Sequence, residues 1–162
     1  MDILVLIGSV LGAIVGYIIK ARIEEVRRIN EGIYEKRRDL YIEILEPYIK
    51  LFTTMGKGNK EKNFEIIVND MKSYEYRKKA FELNLFGSDD VVKAMNAYWK
   101  YLYQQESIEK ADSDKKGGYE LLSLFGDLLV EVRKSLGNKN TQLNNVDMLQ
   151  FVIKDIDKLK SI

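Results

Sequence analysis

Residues 3 to 19 read ILVLIGSVLGAIVGYII, seventeen consecutive positions without a charge. A helix rising about 1.5 Å per residue over this length is slightly shorter than a hydrocarbon core of about 30 Å, yet within the range of spanning helices. A buried helix of a soluble protein ordinarily keeps a polar stripe over such a length, and this run has none. The run therefore predicts a transmembrane helix over residues 1–20, lengthened by Lys20 and Arg22 snorkelling toward headgroups. It does not read as a cleaved secretion signal: Asp2 stands where a basic region belongs, and no A-x-A site follows.

Charge orients the segment. Only Asp2 and the amino terminus precede it, whereas Lys20, Arg22, Arg27 and Arg28 follow. The positive-inside rule places these four cations at the inner membrane surface and the rest of the chain in the cytosol. Within the apolar run, Gly8, Gly12 and Gly16 recur every four residues, flanked by Ser9 and Ala13. Two successive G-x-x-x-G spacings line one helix face with small residues, so that a second helix can approach closely. Glycine is also common in membrane helices generally, and the tandem spacing is what favours self-association.

Beyond Lys20 the helical pattern continues. Ile23, Val26, Ile29 and Ile33 lie three or four apart among charges, which predicts a charged juxtamembrane stalk over 21–37 with coiled-coil character. Leu40, Ile44, Leu45, Tyr48, Ile49 and Phe52 carry an apolar stripe into a helical domain over 38–162. Gly32 should weaken the long helix locally and Pro47 should kink it. Residues 54 to 62 have loop composition; their Gly56 and Gly58 complete no phosphate-binding loop. A second helix is expected over 63–85, with Phe64, Ile67, Val68 and Met71 on one face. Gly87 and Ser88 break it, and Ser88 with Asp89 and Asp90 starts a third helix running to Ser107. Residues 111 to 118 form the next loop; an EF-hand is not completed there, because Ser123 stands where a bidentate glutamate is required. A fourth helix should span 119–136, burying Leu121, Leu122, Phe125, Leu128, Leu129 and Val132 and ending at Gly137. Asn145 is expected to cap a last helix carrying Leu149, Val152, Ile153, Ile156 and Leu159. The fold class is all-α: a transmembrane helix, a stalk, and an antiparallel bundle of four or five helices.

Composition then narrows the chemistry. The chain has no cysteine and no histidine, which removes disulfides, cysteine-based zinc sites, thiol nucleophiles and histidine-dependent triads. A net charge of +1 does not favour duplex nucleic acid. Catalytic residues, metal ligands and cofactors are not expected. Asp89 and Asp90 read as helix-capping charge, Asp112 and Asp114 as loop solvation. Aromatics gather at Tyr98, Trp99, Tyr101 and Tyr103; most belong to a core stripe, while Tyr101 falls off it and is a candidate partner contact.

Basic residues cluster at Arg27, Arg28, Lys36, Arg37 and Arg38, and again at Arg77, Lys78 and Lys79. If the helices bearing them pack antiparallel, Arg37, Arg38, Arg77, Lys78 and Lys79 can share a phosphate ligand such as a nucleotide second messenger. Interleaved Glu24, Glu25, Glu31, Glu35, Asp39 and Glu43 favour the plainer alternative of a solvated, locally paired face.

The stretches KRRDLYIEILEPYIKLF (36–52) and KKAFELNLFGSDDVVKAMNAYWKYL (78–102), behind an apolar helix and a stalk, resemble a loose group of uncharacterised small single-pass membrane proteins of bacteria and their phages. The Gly-Ser-Asp-Asp-Val-Val element is the most recognisable piece. A weaker likeness, of plan and size, is to the membrane effectors of cyclic-oligonucleotide and type III CRISPR antiviral systems. The resemblance implies this architecture. The glycine stripe, the stalk and the missing histidine and cysteine point to a non-enzymatic interaction module or membrane effector of the bacterial inner membrane, with the bilayer and further copies of the chain as partners. The basic clusters carry the alternative, a sensor that binds a cyclic nucleotide or oligonucleotide and gates the membrane helices.

Overall fold

The computed structural model describes the backbone of residues 3–54, 66, 68–107 and 115–153, and the side chains of 15–53, 66, 68–104 and 118–153. Every regular element among them is helical: α1 (Ile3–Thr54), the helical residues 68–72, α2 (Tyr74–Phe86), α3 (Asp89–Ser107), α4 (Lys115–Ser135) and α5 (Asn145–Leu149). The chain divides into two units, Met1–Lys36 and Arg37–Ile162.

In the first unit, the described side chains of residues 15–36 are all exposed. Ion pairs run along the helix, Lys20 to Glu24, Arg22 to Glu25 and Arg27 to Glu31. Each supports the helix by a few tenths of a kcal/mol at most, because the partners are solvated. Among the described residues no helix is long and apolar enough to cross a membrane. Residues 3–14 of the apolar run, with Gly8 and Gly12, lie outside the described side chains.

The second unit is built on a core of Leu40, Tyr41, Ile44 and Tyr48 from α1, Tyr76 and Leu83 from α2, and Val91, Met95 and Tyr98 from α3. Phe125, Leu128 and Val132 of α4 complete it together with Val146 and Leu149 of α5. The rings interlock: Tyr48 meets Tyr98 edge-on at 5.5 Å and lies 4.7 Å from Phe125. Such aromatic pairs add directional attraction to the apolar area they bury. The helix continues through Pro47, which is buried.

Four expectations require correction. The helix expected over 63–85 is divided at Ser73, whose extended backbone (ψ 155°) and side-chain oxygen, accepting the Tyr76 N–H at 3.2 Å, start α2 afresh. Serine competes for nearby backbone donors and is better placed at a cap than inside a helix. The fourth helix begins at Lys115, so Gly117 and Gly118 lie in its first turn. The cap of the last helix is Asn144, which forms a reciprocal capping box with Asp147. Finally, that helix ends at Leu149; residues 150–152 are a turn, and Ile156 and Leu159 lie outside the described residues. Asn145 instead points inward, donating to Ser123 Oγ at 2.9 Å.

Other stops are where local chemistry puts them. Gly87 and Ser88 separate α2 from α3, whose first turn holds Asp89 and Asp90. Gly137 takes φ +97°. Its N–H bonds to Lys134 O and that of Asn138 to Arg133 O, the paired bonds of a Schellman ending. Phe64, Ile67 and most of the expected loops over 54–62 and 111–118 lie outside the described residues.

Candidate functional site

The register of α1 against α2 decides which cations can meet. Arg37 lies beside Phe86, Glu43 beside Lys79, and Ile44 beside Tyr76, so the two helices run in opposite directions. Arg37 and Arg77 therefore stand at opposite ends of α2. Nine residues separate Phe86 from Arg77, about 14 Å along the axis at 1.5 Å per residue. Arg37 and Arg77 are thus not brought together.

Each has its own role. Arg37 donates through Nε to the Phe86 carbonyl at 2.6 Å, satisfying one of the orphan acceptors at the end of α2. Arg38 pairs with Asp39 at 3.0 Å. Lys79 reaches across to Glu43 at 2.7 Å, and the hydrogen bond to that carboxylate raises the lysine above its ordinary pKa. Lys78 is exposed and lines neither of the clefts described below. Arg77 is exposed and makes no ion pair with a described residue.

Among the described residues two clefts flank α2. The first, about 340 Å³, is lined by Glu43, Glu46, Lys50, Asp70, Glu75 and Lys79 beside Pro47 and Tyr76. Its lysines are spent on its carboxylates, Lys50 on Glu46 at 2.9 Å and Lys79 on Glu43. Among the described residues no acidic group is arranged to hold a metal ion.

The second cleft, about 390 Å³, lies between α2 and α3. Its aromatic side is Trp99, stacked on Tyr103 with ring centroids 5.7 Å apart, and Tyr76 behind Trp99 at 6.3 Å. Its polar side is Lys72, Arg77 and Asn96, and among the described residues no carboxylate lines it. Sequence reasoning marked Arg77 and Trp99 separately. It missed Lys72 and Asn96, and the aromatic cluster alone suggested only core. Tyr101, the candidate partner contact, is half-buried; the outward ring is Tyr103, 59% exposed.

The core tyrosines are poor acids. Burial pushes Tyr76 and Tyr98 up to about 12, and burial with neighbouring phenols drives Tyr48 higher still. None is poised to transfer a proton near neutrality.

In the first unit the described part of the small-residue stripe is Gly16, with open space where a Cβ would stand. Three of the four membrane-surface cations, Lys20, Arg22 and Arg27, hold glutamates on their own helix. Ile19, Ile23, Val26, Ile29 and Ile33 stay 40–62% exposed. Compared with family models, with curated proteins and with solved structures, the chain shows no match.

Proposed function

We propose that the chain is a membrane-anchored, non-enzymatic helical module that self-associates through α1 and serves as an interaction platform or membrane effector of the kind used in anti-phage defence. The observation that carries this reading is the uncovered apolar face of the first unit. Ile19, Ile23, Val26 and Ile33 keep alternating four- and three-residue spacing, with Asn30 filling the place between Val26 and Ile33. That is the spacing of a coiled-coil seam, and a lone asparagine on the seam is matched by its own equivalent in a parallel, in-register assembly. An apolar partner would leave it unpaired.

The anchor rests on the uncharged run before Lys20, continued by the Gly8, Gly12 and Gly16 stripe. Solvated ion pairs are worth little, so Lys20, Arg22, Arg27 and Arg28 can exchange glutamates for anionic headgroups at small cost. On this reading the helices of the second unit form an antiparallel bundle on the cytosolic side.

Crosslinking in native membranes tests it. The full chain is expected in the pellet after ultracentrifugation of a detergent-free lysate, with a ladder of crosslinked species. Gly12→Leu should weaken that ladder through the membrane helix, and the double substitution Ile23→Asn with Val26→Asn through the stalk. A chain that remains in the supernatant, or a monomer unaffected by either change, overturns the proposal.

A further inference from the structure

The cleft between α2 and α3 combines an aromatic side with a basic one. Its wall is an aromatic pair, Trp99 on Tyr103, and a ring surface of this kind attracts another flat π-system sequence-tolerantly. Beside it stand two cations, Lys72 and Arg77, and among the described residues no carboxylate is in the lining to neutralise them. Three other cations of the second unit's part of α1 and of α2 are engaged: Lys79 with Glu43, Lys50 with Glu46, Arg37 with a helix-end carbonyl. The remaining polar group, Asn96, offers both a donor and an acceptor on the α3 side. A flat apolar wall, an amide and an unneutralised double positive charge together match a planar heterocycle carrying a phosphate. Inorganic phosphate would leave the wall unused, and an aromatic without charge would leave Lys72 and Arg77 unanswered.

We propose that this cleft binds a nucleoside monophosphate, its base stacked on the Trp99–Tyr103 pair and hydrogen-bonded by Asn96, its phosphate held by Arg77 and Lys72. A volume of about 390 Å³ is at the small end of ligand sites and suits one nucleotide unit. The guanidinium supplies paired donors to phosphate oxygens and the ammonium a point charge. Arg37, Arg38, Lys78 and Lys79 take no part, which separates this site from one built on all the basic residues of the two helices. The site lies wholly within the second unit and does not depend on membrane insertion or self-association.

Trp99 is the sole tryptophan of the chain, so its fluorescence reports from inside the cleft. The full-length protein in detergent micelles is titrated with AMP and cyclic AMP, and separately with adenosine and with inorganic phosphate. A saturable quench by at least one nucleotide is expected, half-complete below about 1 mM. Adenosine and phosphate should each need about tenfold more, because each lacks half of the recognition. Arg77→Ala should weaken the nucleotide about tenfold and Lys72→Ala with Arg77→Ala should abolish saturation, while Lys78→Ala, a cation of the same helix outside the cleft, changes nothing. These side chains are exposed, and unchanged circular dichroism confirms that the variants fold. Absence of a saturable quench up to about 10 mM overturns the proposal. So does a quench that Arg77→Ala leaves intact, or one that adenosine reproduces at the same concentration.

Discussion

The Tyr41 hydroxyl lies 2.9 Å from Ser135 Oγ, joining the second unit's part of α1 to the end of α4 across 94 residues of sequence. The same oxygen accepts the backbone N–H of Ser88 at 3.0 Å. Since Ser88 uses a lone pair, the phenolic hydrogen is available to Ser135. Tyr41 is only 1% exposed, so one buried atom pins three elements: α1, the turn between α2 and α3, and α4.

Replacing that atom should be costly. Tyr41→Phe keeps the ring but strands a buried amide, and a loss of about 1–3 kcal/mol is expected in urea unfolding followed by circular dichroism. Ser135→Ala should cost less, since the Ser88 N–H keeps its acceptor. Equal effects from the two changes would remove Tyr41 from the centre of this arrangement.

Tyr48 supplies the contrast. Its ring is 3% exposed, and its hydroxyl is the buried side-chain polar atom without a hydrogen-bond partner among the described residues. A desolvated, unsatisfied hydroxyl costs free energy, so Tyr48→Phe should leave the melting temperature unchanged or raise it. A drop of several degrees would mean that the hydroxyl has a partner after all.

Alkali should unfold the second unit through two other core tyrosines, Tyr76 and Tyr98. In the unfolded chain a phenol titrates near its ordinary value of about 10. In the folded chain Tyr76 and Tyr98 hold their protons to about 12. Between these values the unfolded state binds fewer protons than the folded one, so stability falls as pH rises. It is fully present below about 10 and is lost through about 12. Phenolate formation by Tyr76 and Tyr98 and loss of helicity should therefore coincide in this window; phenolate formation by these two with helicity intact would contradict the burial argument.

Two glycines should respond in opposite directions to alanine. A Cβ on Gly126 would stand 2.5 Å from the Asn145 carbonyl oxygen and 2.7 Å from Asn145 Cβ, at the corner where α5 crosses α4. Gly126→Ala should cost about 1–3 kcal/mol, because Asn145 is itself held by Ser123. Gly32 faces open space within a helix, so Gly32→Ala should strengthen α1 by up to about 1 kcal/mol. Thermal unfolding monitored by circular dichroism separates the two.

Much of the helical plan was legible before any coordinates, because helix signals act over three or four residues. The stop at Gly87 and Ser88, the start at Asp89 and the Gly137 ending follow from capping chemistry written next to them. The apolar stripe found Leu40, Ile44 and Tyr48 but also took in Ile49, which is 52% exposed. It passed over Tyr41, which sits on the margin of the face and earns its burial through Ser88 and Ser135. The break at Ser73 was missed because a serine within an otherwise helical pattern reads equally as interior or cap. Tyr76, just after it, must turn inward for its hydroxyl to reach the Ile44 carbonyl, 32 residues away.

For the candidate site the limit was register. Clustered cations on two helices suggested one phosphate site, and antiparallel pairing alone did not decide it. The offset between the helices sends Arg37 to Phe86 and Lys79 to Glu43, and leaves Arg77 beside Trp99.

The order of amino acids by itself determined the uncharged run before Lys20, the all-helical character, the missing cysteine and histidine, and most helix ends, since composition and capping act within a turn of chain. Only the tertiary structure decided which exposed cation would be neutralised and which left open, and which aromatic ring would face outward. Those outcomes depend on how far one helix slides along another, and a slide of a single turn changes every partner while altering no local preference.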